Sequence, residues 1–261
     1  MSQTNPDPAD QWPVYVINMA DNSARMAKVT AAMSDASVPF QRFEAVDGRA
    51  LSEIQKRLVY DAAANKTQFR KPLLPGELGC YLSHIGLWQK VQNGSSGGAI
   101  ILEDDFLPDP DFASVIAALS TDKTGWDMVK LYARRADSKV VHTQNLCPGF
   151  QLVIPYQIPN TTLGYAISKQ GAQRLLAQYI PFARPIDEDL KRFWEHGLDI
   201  RLVVPPPLAL SEQAQSGDTI QAARRAQKHQ GVWGSIRQGL KNLRYRLTYL
   251  ARLHFHRRIG R

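Results

Sequence analysis

Residues 99–109 read AIILEDDFLPD, a short apolar run that ends in the acids Glu103, Asp104 and Asp105. The run shows no polar face, it is too short for a core helix, and Pro108 follows it, so it predicts a buried β-strand. Ligands of open α/β sheets bind beyond the carboxyl ends of the strands, and the acids fall at such an end. This stretch therefore predicts a ligand site at the edge of an α/β sheet.

The consecutive carboxylates of 103–105 repel one another unless a cation or a ring of hydrogen-bond donors offsets their charge. A divalent ion with hard oxygen ligands, Mg²⁺ or Mn²⁺, is the most economical cation for this purpose. The alternative interpretation is that the acids merely close the strand and begin a solvated turn before Pro108.

The length of 261 residues allows one large α/β domain with a proper core, or two small domains. The chain has no apolar run of roughly 18 residues, and its first residues show neither a basic nor an apolar leader region. Cys80 and Cys147 lie in different kinds of segment and indicate no disulfide framework. We expect a cytoplasmic protein with a flexible N-terminus (1–11), one catalytic domain (12–218) and a tail (219–261).

The net charge of +8 is unevenly distributed along the chain. No acidic residue follows Asp218, whereas 11 lysines and arginines lie between 224 and 261. Residues 1–218 therefore carry 21 basic against 24 acidic side chains, a net charge of −3. A body of that sign argues against nucleic acid as a partner, because a nucleic-acid surface must neutralise phosphates.

Strand and helix patterns alternate along the chain. Strands are predicted at 13–19, 40–48, 99–103, 126–132 and 161–168, and in a last segment that the prolines at 205–207 stop. Helices are predicted at 22–34 with a cap at Asn22 or Ser23, from about Ser52, at 74–92, at 169–180 opened by Ser168, and at 187–197 ended by Gly197. Strands separated by helices indicate a mostly parallel, Rossmann-like sheet with helices on both faces.

Six sequence blocks follow one another in a characteristic order. They are VYVINM…R (14–25), AVDG (45–48), PGELGCYLSHIGLW (75–88), AIILEDD (99–105), GYAISKQGAQRLL (164–176) and PID (185–187). In these blocks the chain resembles glycosyltransferase family 25, the lipooligosaccharide and lipopolysaccharide galactosyltransferases, which are related to collagen β-galactosyltransferases. The resemblance implies a GT-A-like fold, a UDP-sugar donor such as UDP-galactose, a divalent metal, and inverting transfer to a saccharide acceptor.

The resemblance also assigns roles to the acids. Asp105 becomes the first choice of metal ligand, Asp104 binds either the metal or donor hydroxyls, and Glu103 is a supporting contact. The metal would offset the charge that grows on the departing UDP. The candidates for a third protein ligand are His142, Glu212 and Gln213, although magnesium readily retains waters.

Inverting transfer further requires a base near the acceptor hydroxyl. Asp187, in RPIDEDL, matches the PID position and precedes a helix, so we expect it to be this base. A positioned carboxylate accelerates such a step by about 10²–10⁴-fold. The alternative is that the acids of 187–189 only cap the helix and complement its dipole, an effect of about 0.3–1 kcal/mol each.

The remaining candidates are expected around the donor. The predicted donor-site residues are Asn18, Arg25, Asp47, Gly48, Glu77, Ser83, His84, Gly164 and Tyr165. Arg25 is expected at the diphosphate or uracil, and Tyr165 at the sugar. The alternative for Arg25 is an ordinary surface arginine, and the alternative for Asp47 and Gly48 is a common Asp-Gly turn. The alternative for Gly164 is a strand glycine at a tight packing contact. Cys80 and His84 have the i, i+4 spacing of zinc ligands, but no second pair stands nearby in the sequence, so Cys80 is expected to be a packing residue.

The tail carries an apolar stripe among basic residues. The stripe consists of Trp233, Ile236, Leu240, Leu243, Leu247 and Leu250, and the basic residues are Arg237, Lys241, Arg244, Arg246 and Arg252. This pattern predicts an amphipathic helix that lies on an anionic membrane through 232–255, peripheral on the inner face of the cytoplasmic membrane and near a glycolipid acceptor. The alternative is a helix packed on the body or on another subunit.

Two other functional classes stay open. A glycoside hydrolase also uses carboxylates, but its pair must flank the scissile bond at about 5–9.5 Å, which adjacent acids on one strand end cannot do. A non-catalytic membrane or nucleic-acid adaptor would act through the basic tail. For an adaptor, removal of 219–261 would abolish function and Asp105→Ala would change little.

Overall fold

The computed structural model of the chain describes residues 11–134, 139–211 and 232–259. In the last of these ranges it describes the side chains of 239–258. A central β-sheet dominates the fold. The strands are β1 (Val14–Asn18), β2 (Gln41–Glu44), β3 (Gly98–Glu103), β4 (Phe106–Pro108), β5 (Met128–Lys130), β6 (Val140–Cys147), β7 (Phe150–Pro155), β8 (Gly164–Ser168), β9 (Ile200–Val204) and β10 (Leu208–Leu210). β4 and β10 form a separate antiparallel pair.

The other strands form an eight-stranded sheet in the order β2-β1-β3-β8-β5-β9-β7-β6. Only β7 and β8 run against the remaining strands of this sheet, so the prediction of a mostly parallel α/β sheet is confirmed. Because β8 is antiparallel to β3, its first residue, Gly164, pairs with Leu102 near the end of β3. The start of β8 and the acidic end of β3 therefore meet at one edge of the sheet.

Helices connect most of the strands. They are α1 (Ser23–Asp35), α2 (Glu53–Val59), α3 (Ala62–Gln68), α4 (Pro75–Asn93), α5 (Phe112–Thr121), α6 (Lys169–Leu176), α7 (Ile186–Leu190), α8 (Phe193–His196) and α9 (Val232–Ile259). The predicted caps of α1 and α6 are confirmed, because the Asn22 and Ser168 side chains accept hydrogen bonds from backbone N–H groups in the first turns. Gly197 ends α8 at φ 69°, where glycine is favoured.

The sheet separates two apolar core layers, as the prediction of helices on both faces requires. Along β1, Tyr15 and Ile17 face the layer that contains α4, α6 and α7, whereas Val14 and Val16 face the layer of α1 and α5. This alternation follows from the period of two in a β-strand. The central strands are buried on both faces, which explains the continuous apolar run of β3.

The structure corrects several element boundaries. The β6–β7 hairpin was not predicted, because most side chains of β6 are exposed at the sheet edge and show no apolar alternation. The β4–β10 pair was also missed, since each strand has only three residues. The helix expected at 187–197 is divided into α7 and α8, and the helix expected at 169–180 ends at Leu176.

The C-terminal helix α9 packs on the body through one face. Tyr249 and Leu253 are only 5% and 1% exposed, and the His256 ring stacks on Trp194 at 5.7 Å between centroids. On other positions of the same helix, the side chains of Leu240, Leu243 and Leu247 are exposed by 64%, 54% and 58%. Packing on the body therefore accounts for one face of α9 and leaves the leucine stripe at the surface. Among the described residues, no helix has the length and apolarity needed to cross a bilayer.

Candidate active site

Asp104 joins the ends of two neighbouring strands. Since β1 pairs with β3 in parallel, Asn18 at the end of β1 lies beside the acids that follow β3. The Asn18 Nδ2 donates to Asp104 Oδ2 at 2.7 Å, and the Arg25 Nη1 donates to Asp104 Oδ1 at 2.9 Å. The Asn22 cap fixes the first turn of α1, which carries Arg25. The sequence predictions for Asn18, Arg25 and Asp104 therefore converge on one hydrogen-bonded cluster.

Glu103 contacts different partners, His84 of α4 and Thr162, which precedes β8. The Thr162 hydroxyl donates to its Oε1, and the His84 Nε2 lies 3.5 Å from the same oxygen. Burial alone would raise the pKa of Glu103, but the contacts with His84 and Thr162 and the charge of Lys130 outweigh burial and lower this pKa. Glu103 is therefore held as a carboxylate inside a polar network.

A hydrogen-bond chain orients the buried His84 ring. Trp88 Nε1 can only donate, and it donates to the Tyr165 hydroxyl at 2.9 Å. The Tyr165 hydroxyl oxygen lies 2.8 Å from His84 Nδ1, and the tautomer of the ring decides which of these two groups donates. The other ring nitrogen, Nε2, faces Glu103.

Cys80, His84 and Glu103 also form a possible metal triad, because their ligand atoms lie within 4.8 Å of one another. The sequence shows no second pair of ligands near Cys80 and His84, but the fold brings Glu103 to them. A thiolate and an imidazole suit zinc better than magnesium.

Asp105 lies half-buried in the turn between β3 and β4. Its backbone carbonyl accepts a hydrogen bond from Ser211 N at 2.9 Å, and β4 pairs with β10 just beyond. The three acids thus have separate surroundings: Glu103 contacts α4, Asp104 contacts β1 and α1, and Asp105 lies beside the end of β10. Glu212 and Gln213, two candidates for a third ligand, lie outside the described residues.

The donor atoms at this edge fit a hard divalent cation. Carboxylate oxygens are preferred ligands of Mg²⁺ and Mn²⁺. Both oxygens of Asp104 accept hydrogen bonds, from Asn18 and from Arg25, so these two side chains orient the Asp104 carboxylate. The structure does not bring His142, a candidate third ligand, to the acids. Four strands separate β6 from β3 in the sheet order, and strands about 4.8 Å apart place β6 about 24 Å away.

The AVDG block packs against the beginning of α4. The Ser83 hydroxyl accepts from Val46 N at 2.9 Å and donates to Gly79 O at 2.7 Å, and the Ser83 side chain is completely buried. A Cβ atom at Gly48 would stand 1.8 Å from the Pro75 carbonyl oxygen. Ser83 and Gly48 therefore have packing roles at the beginning of α4, and their contact with the donor stays a prediction.

Two other predicted donor contacts have local structural partners. The Glu77 Oε2 accepts from Leu74 N at 2.8 Å, so this buried carboxylate closes the N-terminus of α4. Asp47 is exposed and forms an ion pair with Arg49 at 2.8 Å, which lowers the pKa of Asp47. The structure does not bring either residue into contact with the acids of 103–105.

Gly164 and Tyr165 lie inside the core. A Cβ atom at Gly164 would stand 2.3 Å from Leu208 Cδ1, so Leu208 would have to move to admit a side chain. The Tyr165 side chain is fully buried, and its hydroxyl contacts His84 and Trp88. The contact of this backbone and this ring with the sugar stays a prediction.

Lys130 is a residue of this region that the sequence interpretation missed. It is the last residue of β5, its side chain is fully buried, and its Nζ donates to Thr161 O at 2.7 Å. Burial lowers the pKa of Lys130 to about 8, although the charges of Asp187 and Glu103 oppose the change. The available sequence signal was a lysine inside the apolar strand WDMVKLY (126–132).

Asp187 lies half-buried in the first turn of α7. Burial raises the pKa of Asp187 to about 6; the charge of Glu188 adds to this rise, and Lys191 opposes it. The two acids that follow are engaged in ion pairs, Glu188 with Lys191 and Asp189 with Arg184. Asp187 Oδ1 accepts from Glu188 N at 2.8 Å, so a capping contact and a raised pKa coexist. A carboxylate with such a pKa is a suitable general base near neutral pH.

Comparisons with known proteins identify sequences that are similar to this chain. A family model described as glycosyltransferase family 25 (LPS biosynthesis protein) matches residues 11–190. Procollagen galactosyltransferase 2 of Mus musculus is 28% identical over 184 residues, which cover 68% of this chain and 29% of that protein. A glycosyltransferase 25 family member of Aedes aegypti is 28% identical over 183 residues, 67% of this chain and 30% of that protein.

A further relative carries a different description. The probable inactive glycosyltransferase 25 family member 3 of Rattus norvegicus is 28% identical over 227 residues, 79% of this chain and 39% of that protein. The chain spans about a third of the length of these curated relatives. The family match covers more than half of the chain and includes β1, α4, β3 and α7, and the chain therefore belongs to glycosyltransferase family 25.

Proposed function

We propose that the chain transfers galactose from UDP-galactose to a saccharide acceptor with inversion, in the synthesis of lipopolysaccharide, lipooligosaccharide or another surface glycan. The cluster of Asn18, Arg25 and Asp104 beside Asp105 carries the proposal, because it sets a guanidinium and carboxylates at one sheet edge. The family description and the names of the procollagen galactosyltransferases support this choice of reaction.

The donor side of the proposed site consists of residues from β1, α1 and the turn after β3. Asp105, assisted by Asp104, would hold Mn²⁺ or Mg²⁺, and the bound ion would offset the charge on the departing diphosphate. Arg25, 26% exposed at its side chain, would set its positive charge beside the phosphates of the donor. Asn18 orients the Asp104 carboxylate through its hydrogen bond to Asp104 Oδ2.

The acceptor side of the proposed site contains Asp187. Its carboxylate accepts the proton of the acceptor hydroxyl while the acceptor oxygen bonds to the anomeric carbon and the bond from that carbon to UDP breaks. The pKa of about 6 leaves Asp187 mostly ionised at pH 7 to 8, the form that a base requires. Activity should therefore fall as the pH drops through 6.

A screen of UDP-sugars with Mn²⁺ tests the proposed reaction. We expect UDP release and formation of a new saccharide to be fastest with UDP-galactose, and a chelator to suppress both. Release of free hexose with no saccharide product would favour the glycoside hydrolase instead. Turnover of a UDP-sugar that is unaffected by chelator would contradict the proposed metal dependence.

We further propose that α9 lies on the cytoplasmic face of an anionic membrane. Leu240, Leu243 and Leu247 are exposed on a helix that contains no acidic residue, and basic side chains flank them. Such a surface can bury leucines at the headgroup boundary while its cations attract anionic lipids. Because Tyr249 and Leu253 hold the helix to the body, the enzyme would dock as one unit beside a glycolipid acceptor.

Liposome flotation of the variant Leu243→Ser/Leu247→Ser tests the membrane proposal. We expect wild type to float with vesicles that contain anionic lipid and to stay unbound with neutral ones, and the variant to lose most of its flotation. Turnover of a water-soluble acceptor should persist in the variant, because both leucines are exposed. Equal flotation of the two proteins, or none for wild type, would refute docking through this stripe. Absence of UDP-sugar turnover in wild type, together with membrane binding that removal of 219–261 abolishes and Asp105→Ala leaves unchanged, would instead indicate a non-catalytic adaptor.

A further inference from the structure

We propose that Lys130 is a positioning residue of the active site, whose ammonium anchors the segment 160–162 between Glu103 and the base Asp187. The inference rests on the proposed function, since it assigns Lys130 to the acceptor base of that same reaction. The proposed reaction and the acidic cluster do not by themselves assign a role to Lys130.

The contacts of segment 160–162 carry the proposal. Its three residues reach three different parts of the site. The Thr161 carbonyl accepts from Lys130 Nζ at 2.7 Å, and the neighbouring Thr162 hydroxyl donates to Glu103. On the other side, the Asn160 Nδ2 donates at 3.3 Å to the Oε1 of Glu188, the residue that follows Asp187 in the sequence. One buried ammonium thus fixes a segment that contacts the donor-side acid and the helix that carries the base.

The burial of Lys130 is otherwise hard to explain. Its side chain is fully buried in β5, between Tyr165 of β8 and Leu202 of β9. A charged amine in such a place is unfavourable unless nearby groups offset it, whereas a methionine would fill the same volume without charge. The Tyr165 ring lies 5.5 Å from the Nζ, and the carboxylates whose charges favour the ammonium are Asp187 and Glu103.

The charged surroundings define what loss of the ammonium would do. Around Lys130 these groups are Glu103 of β3, Asp187 of α7, Tyr165 of β8 and His196 of α8. Around Asp187 they are Glu188 and Lys191 of α7, Glu77 of α4 and Lys130 of β5. Removing a cation near Asp187 favours the protonated carboxyl, so the base would become active only at higher pH.

The test compares pH profiles of kcat for wild type, Lys130→Met and Lys130→Arg. In Lys130→Met, we expect the acidic limb to move upward by about one pH unit, and kcat at pH 6 to fall by roughly fivefold more than at pH 8. The KM for the UDP-sugar should change less than kcat. Lys130→Arg keeps the charge and should retain the wild-type acidic limb.

Lys90→Met is the matched control, because Lys90 also lies over a tyrosine ring, that of Tyr15 at 5.2 Å, but is an exposed residue near the end of α4. Its profile should match wild type. An acidic limb that stays in place in a folded Lys130→Met protein would overturn the inference, as would an equal loss of kcat at every pH. Absence of turnover in wild type, or full activity of Asp187→Asn, would instead reject the proposed function. Failure of the proposed function can therefore be distinguished from failure of the inference about Lys130.

Discussion

Asp105→Ala is expected to lower turnover of the UDP-sugar by about 10³-fold or more, since a bound divalent ion contributes several kcal/mol to a step that creates charge on the leaving group. The alanine removes the carboxylate that we propose coordinates the ion, and it leaves Asp104 with its hydrogen bonds to Asn18 and Arg25. Initial rates of UDP release at saturating Mn²⁺ would measure the loss.

Asp109→Asn provides the control for Asp105→Ala. Asp109 lies four residues further along the same acidic segment, and its Oδ1 accepts from Asp111 N at 2.9 Å, which an asparagine can also do. We expect this variant to keep near wild-type rates. If Asp105→Ala retained more than a tenth of the activity while Asp109→Asn remained intact, Asp105 would not be the metal ligand.

Asp187→Asn is expected to lower kcat by about 10²–10⁴-fold, because the amide cannot accept the proton of the acceptor hydroxyl. The wild-type kcat should decline as the pH drops below about 6, because Asp187 then gains a proton. Single-turnover rates with a soluble acceptor would report this step separately from product release.

Stability distinguishes loss of the base from misfolding. The folded pKa of Asp187 is raised to about 6 from 3.8, so its ionisation opposes folding at pH values above both. Replacing it with neutral Asn should leave the Tm at pH 8 equal to that of wild type or higher. A large fall in Tm would attribute the lost activity to unfolding, and an unchanged kcat would exclude Asp187 as the base.

The sequence predicted the sheet and the position of the acids because both depend on local patterns. A continuous apolar run such as that of β3 indicates a strand buried on both faces, and acids at its end fall at the ligand-binding edge. The hairpin of β6 and β7 escaped prediction because an exposed edge strand does not need an apolar face.

The division of labour within the site depends on tertiary contacts that spacing does not encode. Glu103 and Asp104 are adjacent in sequence, but one contacts His84 and the other Arg25. Ser83 and Tyr165 belong to the most family-like blocks, but both are buried and act through packing or through other side chains. Lys130 is a lone lysine within an apolar strand of the sequence, and only the fold shows that its ammonium contacts the Thr161 carbonyl beside the Thr162 contact with Glu103.

The central claim, that the acids after β3 bind a cation that in turn holds a nucleotide diphosphate, is tested most directly by calorimetric titration of UDP into wild type and Asp105→Ala. For wild type, we expect UDP to bind at least tenfold more tightly with Mn²⁺ than with chelator, and for Asp105→Ala we expect this difference to disappear. Equal UDP affinity with and without Mn²⁺ in wild type, or an undiminished Mn²⁺ effect in Asp105→Ala, would contradict the account.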